Sequence, residues 1–175
     1  VITPVTNPSE TIVNNGISMI AGGNVAVFCP HPSARRISTL TIDLFNRAAR
    51  RAGAPEPLLH TIAEPTLDVA KALLRYPGIR LNVVTGGPGV VKEAMDSGKK
   101  AICAGPGNPP SVIDETADLE QAARDLVMGS SLDNNIICTD EKEFIAVSII
   151  ADRLKELMAR SGAVVLQPHQ VEQVR

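Results

Sequence analysis

The chain has 175 residues, of which 44% are hydrophobic, 21% charged and only 2% aromatic, with a formal net charge of −2. This balance suits a globular α/β core built from Val, Ile, Leu and Ala, and it excludes both a basic phosphate-binding face and the aromatic platforms of base-stacking modules. No apolar run reaches the length of a membrane span, and three cysteines without tight spacing fit neither a disulfide framework nor a structural zinc site.

A short strand is expected over residues 1–5. The turn Thr6-Asn7-Pro8 follows, and then a helix over residues 10–21 with Val13, Ile17 and Ile20 inward, stopped by Gly22-Gly23. Residues 24–28 read as a buried strand, and Cys29-Pro30-His31-Pro32 turns the chain. Ser33 is the expected N-cap of a long helix to residue 52, whose inward face would be Ile37, Leu40, Leu44 and Ala48. Residues 58–62 form a weak strand, and residues 66–76 a helix with Leu67, Ala70 and Leu74 inward. A strand over residues 80–84 enters the turn Thr85-Gly86-Gly87-Pro88-Gly89. A short helix over residues 90–97, a strand over residues 100–103 and the loop Ala104-Gly105-Pro106-Gly107-Asn108-Pro109-Pro110 complete this part. The alternation of strand and helix marks a doubly wound, mostly parallel sheet with ligands at the carboxyl ends of its strands.

After residue 111 the character changes. A helix over residues 119–128 offers Leu119, Ala122, Ala123 and Leu126 for packing, and a polar loop then leads to Ile136-Ile137-Cys138. Residues 144–150 read as a strand passing into a helix that ends near residue 160, with Ile150, Leu154 and Leu157 inward. Residues 163–166 are a last strand candidate before a polar tail. The expectation is therefore part of a nucleotide-type α/β domain over residues 1–110 and the start of a second α/β domain over residues 111–175.

Four segments carry candidate chemistry. The glycines after residue 84 either present backbone N–H groups to phosphate or serve only a tight turn. His31 either touches a ribose or phosphate or is a polar turn residue. Cys138 follows an amide-rich loop and is either an accessible thiol supplied with N–H donors or a small buried hydrophobe. Asn7 either donates to a carbonyl oxygen or bonds its own backbone. There is no G-x-S-x-G for a serine hydrolase, and His31, His60 and His169 lack metal-ligand spacing, so no metal is expected.

In order, Thr3-Pro4-Val5-Thr6-Asn7-Pro8, Cys29-Pro30-His31-Pro32, Thr85-Gly86-Gly87-Pro88-Gly89, Gly105-Pro106-Gly107-Asn108-Pro109-Pro110, Val112-Ile113-Asp114 and Asp133-Asn134-Asn135-Ile136-Ile137-Cys138 resemble the CoA-acylating branch of the aldehyde dehydrogenase superfamily. The resemblance covers roughly residues 1–148 and implies a piece of a longer enzyme, the later cofactor domain plus the first part of the catalytic domain. It implies Cys138 as nucleophile and Asn7 as oxyanion-hole amide. It further implies Pro30, His31, Thr85, Gly86, Gly87 and Gly105 along NAD, with coenzyme A as co-substrate. Hydrolytic members place a Glu base in the segment matching residues 104–110, where this chain has no carboxylate. The implied reaction turns a short-chain aldehyde, CoA and NAD into acyl-CoA and NADH. The implied setting is a homo-oligomer in the cytoplasm or in a bacterial microcompartment lumen, without nucleic-acid or membrane partners. The alternatives are a phosphorylating semialdehyde dehydrogenase of the same superfamily, a non-catalytic nucleotide-binding module, or an excised piece that folds without activity.

Overall fold

A computed structural model describes residues 1–55 and 57–174. Glu56 and Arg175, which fall within the two expected domains, lie outside the described residues. The chain divides into two compact units, Val1–Pro106 and Gly107–Arg175.

In the first unit, α1 (Pro8–Ala21), β1 (Ala26–Phe28), α2 (Arg35–Arg51), β2 (Leu59–Thr61), α3 (Leu67–Arg75), β3 (Leu81–Thr85), α4 (Pro88–Met95) and β4 (Lys100–Ala104) alternate. β1 pairs in parallel with β2, and β3 with β4. The N-terminal residues join these two ladders. Ile2 bridges in parallel to both Cys29 and Val84. The Val1 and Ile2 carbonyls accept from the Cys29 and Thr85 N–H groups, and the Ile2 N–H donates to the Val83 carbonyl. The sheet order is thus β2, β1, residues 1–3, β3, β4. The chain winds outward from its first segment in one direction and then in the other, which is the doubly wound arrangement. The expected strand over residues 1–5 is confined to this bridge.

Successive side chains of that first segment point to opposite faces, as a strand requires. Val1 packs with Ile12, Ala26, Phe28, Ile42 and Leu59. Ile2 packs with Leu74, Val84 and Ala94 on the other side. Burying a side chain such as Phe28 or Leu59 stabilises by roughly 1.5–3 kcal/mol. The β2 edge is closed by Asn46 of α2, which donates to the Leu59 carbonyl at 2.7 Å and accepts from the Leu59 N–H at 3.1 Å.

Two expected helix faces are corrected. On α1 the buried residues are Ile12 and Gly16, while Val13 and Ile17 are exposed. On α2 they are Ser38, Thr41 and Ile42, and Ile37, Leu40 and Leu44 are 44%, 50% and 52% exposed. Small residues face inward because α1, α2 and β2 approach closely at Gly16. A Cβ there would stand 2.9 Å from Leu59 Cδ1 and 3.2 Å from Phe45 Cε2. Gly16→Val is expected to destabilise the intact protein by about 1–3 kcal/mol through overpacking. The check is a denaturant midpoint, and an unchanged midpoint would refute the close approach. On α3, Ala70 and Leu74 are buried as expected, but Leu67 in the first turn is exposed. Ser33 is not the α2 cap. It lies in a 3-10 turn, Pro32–Ala34, whose own cap is His31.

The second unit holds β5 (Pro110–Ile113), α5 (Leu119–Ser131), β6 (Glu143–Ala146), α6 (Ser148–Arg160) and α7 (Pro168–Val174). β5 and β6 pair in parallel. Ile113, Ala123, Leu126, Ile150, Leu154 and Leu157 form its core, and the Asp118 carboxylate caps α5 by accepting from the Gln121 N–H at 3.0 Å. The expected strand over residues 163–166 is absent. Val164 and Val165 are largely exposed and have no ladder to join, and part of the expected polar tail is α7. Among the described residues no helix is long and apolar enough to cross a membrane.

Candidate active site

Because every strand of the first sheet is parallel, the carboxyl ends lie along one edge. That edge carries Asn7 after the first segment, Pro30 and His31 after β1, Thr85, Gly86 and Gly87 after β3, and Gly105 after β4. In a doubly wound sheet this edge is where ligands bind, at the point where the winding reverses. Residues 1–3 and β3 flank that point.

The β3–α4 turn is open. Gly87 caps α4 without a side-chain hydrogen bond, and Pro88 occupies the first turn. A Cβ at Gly87 or Gly89 would meet nothing within 4 Å, so a ligand can approach this helix N-terminus and its N–H groups. Gly86 is closer packed, its N–H donating to the Ala104 carbonyl at 3.1 Å. Pro30 is buried and His31 exposed. The His31 Nδ1 accepts from the Ser33 N–H at 3.2 Å, which commits one imidazole nitrogen to the turn. Asn7 caps α1 with its backbone carbonyl, which accepts from Thr11 Oγ1 at 2.7 Å. Its side chain makes no capping bond, and its Oδ1 is buried without a partner. Thr3 Oγ1 is likewise buried and unpaired. An unpaired polar atom in such a position costs about 1–3 kcal/mol.

In the second unit, Cys138 lies in an exposed turn. The chain reaches it through a 3-10 turn, Leu132–Asn135, in which Asp133, Asn134 and Asn135 have φ of 47°, 53° and 59°. Asp and Asn are the non-glycine residues that best tolerate the left-handed region, yet each such residue still costs about 1 kcal/mol or more. The surroundings hold the strained run. Asn135 Nδ2 donates to the Ser130 carbonyl at 2.7 Å and the Glu141 carbonyl at 3.0 Å. Lys142 Nζ donates to Asn135 Oδ1 at 2.7 Å, the Ile137 carbonyl at 3.0 Å and the Asn135 carbonyl at 3.2 Å. The Cys138 N–H donates to no acceptor among the described residues.

The glycine-rich loop that starts at Gly107 is clasped to this turn. A Cβ on Gly107 would overlap the Cys138 carbonyl. The Lys142 N–H donates to the Pro109 carbonyl at 3.1 Å, and Asn108 Nδ2 to Glu143 Oε1 at 2.6 Å. Asp140, 5% exposed, has an Oδ2 without a partner two residues beyond the thiol. The other thiols differ from Cys138. Cys29 is buried, and burial pushes its thiol up, away from the reactive thiolate. Cys103 is half-buried in β4. Sequence reasoning missed Lys142. The one available signal is a single cation among Asp140, Glu141 and Glu143, four residues past the thiol.

A parallel doubly wound sheet with an open glycine turn, followed by a unit that displays one thiol on a strained turn, places the chain among two-unit α/β proteins of the doubly wound class. Residues 1–172 match the aldehyde dehydrogenase family. The acetylating acetaldehyde dehydrogenase EutE of Salmonella typhimurium is 52% identical over 175 residues, 99% of this chain and 38% of that protein. A propionaldehyde dehydrogenase structure from the Clostridium phytofermentans fucose utilisation microcompartment superposes with a TM-score of 0.90 at 45% identity, covering 99% of this chain and 40% of that one. The Rhodopseudomonas palustris propionaldehyde dehydrogenase, solved with bound CoA and an acylated cysteine, gives 0.87 at 48% identity, covering 99% and 39%. The chain belongs to the aldehyde dehydrogenase family. It spans about 38% of the length of the acetaldehyde dehydrogenase it matches.

Proposed function

We propose that the intact enzyme oxidises a short-chain aldehyde to its acyl-CoA with NAD, through a thioester on Cys138. The observation that carries this reading is the exposed Cys138, held on a strained turn with an uncommitted N–H, beside a glycine-rich loop that offers no carboxylate. Residues 1–110 are read as part of the cofactor domain and residues 111–175 as the first part of the catalytic domain. The turn Thr85-Gly86-Gly87 suits a pyrophosphate at Gly87, where nothing crowds the approach to the α4 N-terminus, while Gly86 is packed against Val90. Pro30, His31 and Gly105 would line the rest of the nucleotide.

The Cys138 sulfur attacks the aldehyde carbon, a C–S bond forms, and the thiol proton passes to solvent. The Cys138 N–H stabilises the resulting oxyanion. Asn7 is assigned the second donor, through Nδ2, on the family resemblance, each donor contributing roughly 3–4 kcal/mol. NAD supplies the hydride acceptor when bound. The CoA sulfur then attacks the acyl carbon, the C–S bond to Cys138 breaks, the CoA thiol proton passes to solvent, and the cysteine thiolate is regenerated. Water is a poor competitor because residues 104–110 hold no base to activate it. A cytoplasmic or microcompartment-lumen setting is proposed from likeness to the microcompartment enzyme, and a homo-oligomer from the family resemblance.

The test is the choice of acyl acceptor. With saturating aldehyde and NAD, the intact enzyme is expected to make acyl-CoA at least about 100-fold faster than free acid or acyl phosphate, since general-base activation of water is worth 10²–10⁴. A faster release as acyl phosphate would transfer the chain to the phosphorylating reading.

A further inference from the structure

We propose that Lys142 is a positioning residue that aims the oxyanion donor of the thiol turn, an inference that rests on the assignment of Cys138 as nucleophile. Its ammonium meets three oxygens, the Asn135 carbonyl, Asn135 Oδ1 and the Ile137 carbonyl. Lys142 forms no ion pair among the described residues. The half-buried charge is therefore met by amide dipoles alone, and such charge-assisted bonds are short and strong.

The geometry gives this contact a consequence at the thiol. The Ile137 carbonyl and the Cys138 N–H belong to one planar trans peptide, so they point in opposite directions. A cation fixed on the carbonyl fixes the direction of the N–H. It also polarises the peptide and makes that N–H a stronger donor. The two contacts to Asn135 hold the last left-handed residue of the turn. The Lys142 N–H on the Pro109 carbonyl ties the same residue to the glycine-rich loop. The Asp140 N–H also donates to the Ile137 carbonyl, at 3.3 Å; Lys142 adds the shorter, charged contact that sets the donor direction, and its backbone seats the neighbouring loop.

Lys142→Met in the intact enzyme separates this role from a merely structural one. Acyl-CoA formation requires an oyxanion donor, whereas alkylation of Cys138 by iodoacetamide does not. The expected result is a fall in kcat of about 100-fold, the scale of one lost donor. KM for NAD and the iodoacetamide rate at Cys138 should stay within about threefold of the parent. A parent-like kcat overturns the proposal, and so does a parallel loss of turnover and alkylation, which would mean that the turn itself has collapsed. If Lys142→Met gives no folded enzyme, Lys142→Arg reads the same contact. A planar guanidinium cannot meet three oxygens that converge on one nitrogen. It is expected to lose roughly 5- to 50-fold in kcat with alkylation unchanged, and a parent-like kcat again overturns the proposal. Cys138→Ala is the control for the underlying reading. If that variant still forms acyl-CoA, the nucleophile assignment has failed, whatever Lys142 does.

Discussion

Cys138→Ala in the intact enzyme is expected to lower acyl-CoA formation by at least about 10⁴-fold, the scale on which removal of a covalent nucleophile acts. The expectation follows from chemistry and from placement. Without sulfur at this position no thioester can form, and neither remaining thiol can replace it. Cys29 is buried, and burial raises its thiol further out of the reactive range. Cys103 sits within the β4 ladder, opposite Val84. KM for NAD should move by less than about threefold, because the open glycine turn lies in the first unit and is untouched. Thiol labelling of the parent gives an independent reading. Iodoacetamide should modify Cys138 first, and aldehyde should protect it. Retention of more than a tenth of the parent rate in the alanine variant would return the chain to the non-catalytic reading.

The sequence made the alternation of the first unit legible because β1 and β3 are short aliphatic runs set between glycine or proline turns. The exposure of Cys138 was legible from the amide-rich loop before it. The left-handed backbone of Asp133, Asn134 and Asn135 was not read from the sequence, although these side chains tolerate it. What failed were the faces of α1 and α2. Periodicity reports that a helix has an apolar stripe but not what covers it. On α2 that stripe, Ile37, Leu40 and Leu44, lies outward, and the inward face is Ser38, Thr41 and Ile42. The strand expected over residues 163–166 failed because β-propensity without a partner ladder makes no strand. His31 caps its turn through Nδ1, which is the turn alternative the sequence offered. Lys142 was opaque because it donates to main-chain oxygens and to an amide, and those bonds leave no pattern in residue spacing.

Gly107 is where that kind of hidden constraint has its largest predicted effect after the thiol itself. Its φ is not in the left-handed region, so glycine is required here for space and not for backbone freedom. The Cβ of any other residue would overlap the Cys138 carbonyl, a backbone atom that no rotamer change can move aside. Gly107→Ala must therefore displace either the glycine-rich loop or the thiol turn. The loop is tied by the Pro109 carbonyl and Asn108, and the turn by Lys142 and Asn135. If the turn yields, the Cys138 sulfur and N–H shift together relative to the bound aldehyde. A displacement near 1 Å at a reacting centre lowers turnover by about 100-fold. The expected outcome in the intact enzyme is that loss in kcat with KM for NAD unchanged. Stability should also fall by about 1–3 kcal/mol, as for an overpacked core. Steady-state kinetics with a denaturant midpoint on the same preparation check both. An alanine variant with parent-like kcat would mean that the two loops are not held against each other, and the close packing beneath Cys138 would lose its functional meaning.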